Sequence, residues 1–406
     1  MSPEGQPPSA APSPGSPSQA PSSHGQPQSG RIGQLDGVRG LALLLVFLWH
    51  YIPRWGDPAF EGPSRVPALV WLRQMTAITW SGVDLFFVLS GFLIGGILID
   101  QRESNRYFQT FYIRRACRIL PLYYAFLLPF LLGPWIGPWL SPWIAQAFNG
   151  DLPRWAYIFF VQNFFGALKG SFGAFWLAAT WSLAIEEQFY LFLPIVVRRV
   201  SPRSLAWVLL CGIGLAPALR IGLLRFGVPT AGFMGYVLSP CRGDALLAGA
   251  LGAYAVRQPR LLGILRGHGR RLHAALAVLV AGAVWLTFDS PEFDSVGMNT
   301  WGRTWLALLC LNLVITSFVH GNGLLARALR NPTLRWLGVR SYAIYLFHLP
   351  AVGLLHACLL HRPARIGNVQ GAAVTLLALA VTLALADISY RRLERPFLDR
   401  GQTYRY

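Results

Sequence analysis

Residues 81–99, SGVDLFFVLSGFLIGGILI, decide the fold class. One ionisable side chain, Asp84, stands at the front of an otherwise apolar run, and about 20 such residues let an α-helix cross the hydrocarbon of a bilayer. Backbone in that medium has to satisfy its own N–H and C=O groups, so the run reads as a spanning helix. Comparable runs recur in both directions. Spans are expected near 36–52, 77–99, 118–133, 179–197, 204–224, 239–256, 272–288, 304–320, 341–360 and 370–390. Composition points the same way. Of 406 residues, 54% are hydrophobic and 13% charged, with a mean hydropathy of +0.43, whereas a soluble domain is nearer a quarter charged. The fold class is therefore all-α: a polytopic membrane helix bundle of about ten transmembrane helices.

The first thirty residues are rich in Pro, Ser, Gly and Gln and hold no hydrophobic core for a signal peptide, so residues 1–30 are expected to be a disordered tail. Residues 31–397 then form the membrane domain, and 398–406 a short cytoplasmic tail. One stretch resists assignment from hydropathy alone: WAYIFFVQNFFGAL, residues 155–168, is short, aromatic and carries Gln162 and Asn163. Counting it as a span would put RRVSPR (198–203) on the same side as the acidic DSPEFDSVG (289–297). Treating it as re-entrant or interfacial gathers the arginine-rich loops on one side, as cytoplasmic loops require. Ten spans with both termini cytoplasmic follow. The formal charge of +18 is then a property of those loops, with a second use in holding an anionic ligand. Nucleic acid is excluded as a partner, because the arginines are scattered between spans. Five cysteines, Cys117, Cys211, Cys241, Cys310 and Cys358, form no CxxC pair; they indicate neither a metal site nor a disulfide framework.

Ionisable groups inside a span are expensive, and each needs a reason. Arg39 and His50 are eleven residues apart on the first span. At about 100° per residue they share one helix face, roughly 16 Å apart along the axis. A plain alternative is an arginine and a histidine that each reach the nearest headgroups. Asp84 stands at the outer end of the second span. Glu186 and Glu187, in WSLAIEEQFYLFLP (181–194), lie about two turns into another and point about 100° apart, so at most one can face a given site. His50, Asp84 and the glutamates all fall in the outer half of the membrane. A histidine oriented by a carboxylate is what general-base catalysis requires. On the inner side, Arg114, Arg115 and Arg118 lie within one turn, suited to bidentate contact with phosphate. Arg220 and Arg242 are expected to pair with acids such as Asp244. His348, in SYAIYLFHLP (341–350), reads as a hydrogen-bonded packing residue.

Six strings occur in order: RIGQLDGVRGLALLLVFLWH (31–50), GVDLFFVLSGFLI (82–94), RRACRILPLYY (114–124), WSLAIEEQFYLFLP (181–194), SYAIYLFHLP (341–350) and ERPF (394–397). Together they resemble the bacterial acyltransferase 3 family of membrane O-acyltransferases. That resemblance implies a ten-helix core in a bacterial cell membrane. It implies acyl-CoA, commonly acetyl-CoA, as donor, with no metal. Acceptors would be hydroxyls of surface polysaccharide, lipid-linked sugars or small natural products. The family's arginine–histidine motif falls on Arg39 and His50, its paired basic motif on Arg115 and Arg118, and its Trp-Ser-Leu…Glu motif on Trp181, Ser182 and Glu186. The chain ends soon after ERPF, so the esterase-like domain of larger members is expected to be absent.

The mechanism expected from these residues has CoA phosphates at Arg39, Arg115 and Arg118. His50, oriented by Glu186 or Asp84, takes the acceptor's proton or briefly carries the acyl group itself. The rival reading is a secondary transporter or glycan flippase, since intramembrane charges also mark substrate paths. No inverted repeat or matched pair of broken helices supports it.

Overall fold

The computed structural model describes residues 32–51, 71, 74–364, 366 and 368–406. The tail expected over 1–30, and Arg31 after it, lie outside the described residues. From Gly33 to Tyr406 the chain is one compact unit, and among the described residues it is all-helical with no strand. Among these residues, ten helices of 17 residues or more carry it. They are α1 (Gly33–Tyr51), α2 (Gly82–Asp100), α3 (Tyr107–Ile136), α4 (Thr180–Arg199) and α5 (Pro202–Arg225). After them come α6 (Ser239–Ala255), α7 (Gly269–Asp289), α8 (Arg303–Val319), α9 (Ser341–Leu360) and α10 (Val369–Ser389).

Local sequence sets several of their ends. Ser201 caps α5 by accepting from the Ser204 N–H at 3.2 Å, with Pro202 at the first helical position, where its missing N–H costs nothing. Asn368 caps α10 through the Gly371 N–H at 2.9 Å.

Among the described residues, seven helices are long and apolar enough to cross a membrane: those containing α2, α3, α5, α7, α8, α9 and α10. The other three are α1, which carries Asp36 and Arg39; α4, which carries Glu186 and Glu187; and α6, which has 17 residues and carries Arg242 and Asp244. Their charges or their length make these three less apolar, and packing compensates. α6 lies against α2, α5, α8 and α4, and α1 against α2, α8 and α9. The central helix is α2, 72% buried over its apolar window, whereas α5 and α7 are 17% buried and form the rim.

The α2–α6 contact is close because both helices present glycine. A Cβ at Gly91 would overlap the Leu246 carbonyl, and one at Gly249 the Val88 carbonyl. Small residues allow this approach where lipid provides no hydrophobic drive between helices.

Residues 155–168 form no helix long enough to span. They divide into two short helices, Arg154–Ile158 and Gln162–Lys169, separated at Phe160, which takes the left-handed φ of 55°. The polar pair that marked this stretch is buried and bonded. Gln162 donates to the Thr180 carbonyl at 3.0 Å, and Asn163 to the Val237 carbonyl at 3.1 Å. Broken backbone of this kind is tolerated at membrane depth only where protein surrounds it.

Candidate functional site

Two cavities lie between α1, α2, α4 and α9. The first, of ≈ 100 Å³, is lined by Arg39 of α1, Ser90 of α2, Arg115 and Arg118 of α3, Glu186 and Tyr190 of α4, and Ser182 and Tyr345. The expected arginines thus converge from two helices far apart in sequence. Three guanidiniums face one carboxylate there, an excess of positive charge suited to an anion. Arg39 also pairs with Asp36 at 3.2 Å, which holds it against the start of α1. Arg115 lies over the Tyr190 ring, 5.4 Å from its centroid.

Glu186 is anchored within this cavity. Ser90 Oγ donates to Oε1 at 2.8 Å and the Tyr190 hydroxyl to Oε2 at 3.4 Å; Tyr190 also reaches Ser90 at 3.1 Å. Glu187, one residue on and about 100° round the helix, is not among the lining residues, and its Oε1 is buried without a hydrogen-bond partner among the described residues.

The second cavity, of ≈ 90 Å³, contains His50 in an aromatic surround of Trp49, Trp80, Phe172, Trp181, Tyr236 and Phe293. His50 Nδ1 lies 2.9 Å from the Val46 carbonyl, one turn back on α1. A carbonyl only accepts, so the neutral imidazole carries its proton on Nδ1 and Nε2 is the basic nitrogen. Beside it stands His348, fully buried, its ring centroid 4.9 Å away edge-on. His348 Nδ1 lies 2.7 Å from the Tyr345 carbonyl, while its Nε2 is buried and unpartnered among the described residues. The packing expected of His348 from sequence is present, and it falls against the candidate base.

Asp84 is placed elsewhere. Its carboxylate accepts from Arg242 of α6 at 2.8 Å, with both side chains buried. Arg220 pairs with Asp244 at 2.9 Å and donates to Thr304 at 2.8 Å. Arg303, also fully buried, lies over the Trp80 and Tyr236 rings at 5.4 and 4.7 Å. These pairs tie α2, α5, α6 and α8 together behind the aromatic wall. The two carboxylates named as partners of His50 therefore have other engagements: Asp84 with Arg242, and Glu186 with Ser90 and Tyr190. Nothing in the sequence assigns a role to Ser90, Tyr190 or Tyr345, which are ordinary residues of an apolar helix until a neighbour is known. Among the described residues no group of three or more His, Cys, Asp or Glu is arranged to hold a metal ion.

Seven helices apolar enough to cross a bilayer, among the described residues, define a multi-pass membrane protein, and an arginine-lined cavity with an adjoining histidine lies inside the bundle. The family model described as "Acyltransferase domain" matches residues 32–391, and the chain belongs to that family. It is 29% identical over 387 residues to the peptidoglycan O-acetyltransferase OatA of Listeria monocytogenes, covering 91% of this chain and 56% of the relative. A Staphylococcus aureus protein named "Putative O-acetyltransferase" is 26% identical, with 91% and 58% covered. The Bacillus subtilis protein named "Putative peptidoglycan O-acetyltransferase YrhL" is 28% identical, with 91% and 55% covered. The chain thus spans a little over half the length of the curated relatives it matches. No solved structure matches it.

Proposed function

We propose that the chain is an acyl-CoA-dependent membrane O-acyltransferase, moving an acetyl group to a hydroxyl of a cell-surface glycan, with peptidoglycan as the first acceptor to test. The observation that carries this reading is the pair of adjoining cavities, one lined by Arg39, Arg115 and Arg118, the other by His50. CoA phosphates bind the guanidiniums, and the thioester arm extends along the bundle. His50 Nε2 takes the proton of the acceptor hydroxyl. The alkoxide oxygen attacks the thioester carbon, the C–S bond breaks, and the thiolate leaves with the proton that His50 held.

In this reading Glu186 offsets part of the arginine charge and fixes Ser90 and Tyr190. Asp84 acts at one remove, by holding Arg242 behind the aromatic wall. All ten long helices cross the bilayer of a bacterial cell, with both termini cytoplasmic and the arginine cavity on the inner side. Charge on α1, α4 and α6 is compatible with spanning because these helices face protein. The rival transporter or flippase is not favoured, since the family is one of acyltransferases.

The test separates binding from chemistry in the purified protein, by acetyl-CoA affinity and by transfer of labelled acetyl to a glycan. His50→Ala is expected to keep donor affinity and lose about 10²–10⁴-fold in turnover, the usual share of a general base. Arg115→Gln or Arg118→Gln is expected to weaken donor binding instead. Wild-type turnover in His50→Ala would remove the histidine from the mechanism, and unchanged affinity in both arginine variants would remove the phosphate site.

A further inference from the structure

The two cavities share two wall residues, Val83 of α2 and Tyr345 of α9. The Tyr345 hydroxyl lies 2.7 Å from Ser182 Oγ and donates to the Ala179 carbonyl at 3.1 Å, so the side chain reaches across from α9 to the start of α4. Its ring also meets Phe86 edge-on at 6.1 Å. Ser182 lines the arginine cavity and Ala179 the histidine cavity, which puts the hydroxyl's two partners on opposite sides. The backbone carbonyl of the same residue holds His348, the neighbour of His50.

We propose that Tyr345, latched on Ser182 and Ala179 and backed by Val83, is the partition between donor and acceptor cavities, and that it determines whether an acyl group goes to a hydroxyl or to water. The inference rests on the acyltransferase reading and adds a specificity residue to it. Two fates are open to a thioester near His50. In transfer, the acceptor oxygen bonds to the acyl carbon and CoA leaves as the thiol. In hydrolysis, water supplies the oxygen and a free carboxylic acid results, with the same C–S bond broken and the same thiol formed. Both need only a base, so His50 by itself does not discriminate. A closed partition keeps the thioester away from water until an acceptor fills the aromatic cavity. Exclusion of water is a recognised defence against this loss. The phenol suits the task, since its ring fills the gap while one hydroxyl holds it by bonds that a rotation breaks.

The experiment uses the full chain in vesicles and reads the ratio of acceptor-independent acetyl-CoA hydrolysis to acetyl transfer. Tyr345→Ala is expected to raise that ratio by about tenfold or more as water enters. Tyr345→Phe, which keeps the ring and loses the latch, is expected to raise it less. Should Tyr345→Ala not fold, Ser182→Ala removes one latch partner and leaves the ring. A wild-type ratio in a folded Tyr345→Ala protein would overturn the proposal. A second readout needs no turnover. With the five native cysteines replaced by serine, Ala178→Cys reports the histidine cavity, and Arg118→Cys marks the side from which the arginine cavity is reached. An anionic thiol reagent applied from that side is expected to spare Ala178→Cys while Tyr345 is present and to label it in combination with Tyr345→Ala. Equal labelling in both backgrounds would refute the partition. If labelling changes as expected but the wild-type protein consumes no acetyl-CoA, the acyltransferase reading fails, and what stands is Tyr345 as the barrier between the two cavities, without its role in acyl fate.

Discussion

A histidine offered as a base needs one nitrogen held for the other to act, and a carbonyl of its own helix, Val46, lies 2.9 Å from His50 Nδ1. Reading outward from sequence favours a carboxylate for this task, because acids are the visible polar residues on neighbouring spans. Of the acids expected there, Asp84 bonds to Arg242, and Glu186 to Ser90 and Tyr190. A buried ion pair that loses one member leaves an uncompensated charge, at about 3–5 kcal/mol. Asp84→Asn is accordingly expected to destabilise the detergent-solubilised protein by about that amount, read as a lower unfolding temperature. The double variant Asp84→Asn with Arg242→Gln should recover much of the loss. A double variant no more stable than Asp84→Asn would mean that the pair is not what joins α2 to α6. Arg39, Arg115 and Arg118 were legible beforehand, since a guanidinium next to an apolar run stands out without any knowledge of neighbours. Ser90, Tyr190 and Tyr345 were not legible, because hydroxyls are unremarkable on a helix until a partner approaches.

Helices locate themselves in this sequence by hydropathy, and seven of the ten long ones do so without ambiguity. α1, α4 and α6 are detectable only by tolerating charge within an apolar run. Those three supply His50, Arg39 and Glu186 to the two cavities and Arg242 to the ion pair behind them, so the least apolar helices hold much of the buried charge. Their burial depends on close contact, most of all where Gly91 and Gly249 let α2 and α6 approach. Gly249→Val is expected to separate these helices and destabilise the fold by about 1–3 kcal/mol or more, the usual range for overpacking. Gly137→Ala, where a Cβ meets nothing within 4 Å, is the matched control. Equal thermal stability of the two variants would show that the α2–α6 contact is looser than the structure has it. The broken segment at Phe160 belongs to the same argument. It carries too few residues in either helix to cross, and Gln188 of α4 holds its backbone by donating to the Phe160 carbonyl at 2.7 Å.

Sidedness belongs to the molecule as a whole. The arginine-rich loops gather on one face only if 154–169 does not cross, and two short helices there are compatible with that count. Cysteines introduced singly at Arg203, Arg271 and Arg335 are expected to react with an impermeant reagent from the cytoplasmic side, and one at Asp294 from the opposite side. Any of the first three labelling together with Asp294→Cys would invert part of the topology. Membrane class, the seven plain spans, the intramembrane charges and the family signature could all be read in one dimension. Transfer from water to lipid acts on each segment separately, so no contact needs to be known. Which helix faces which was decided only by the tertiary structure, and with it the pairing of Asp84 with Arg242, the placing of Glu186 among arginines, the meeting of His50 with His348 and the wall at Tyr345. A helix's rotation and neighbours are set by packing across the whole bundle, and a few degrees of turn move a side chain from one cavity to another.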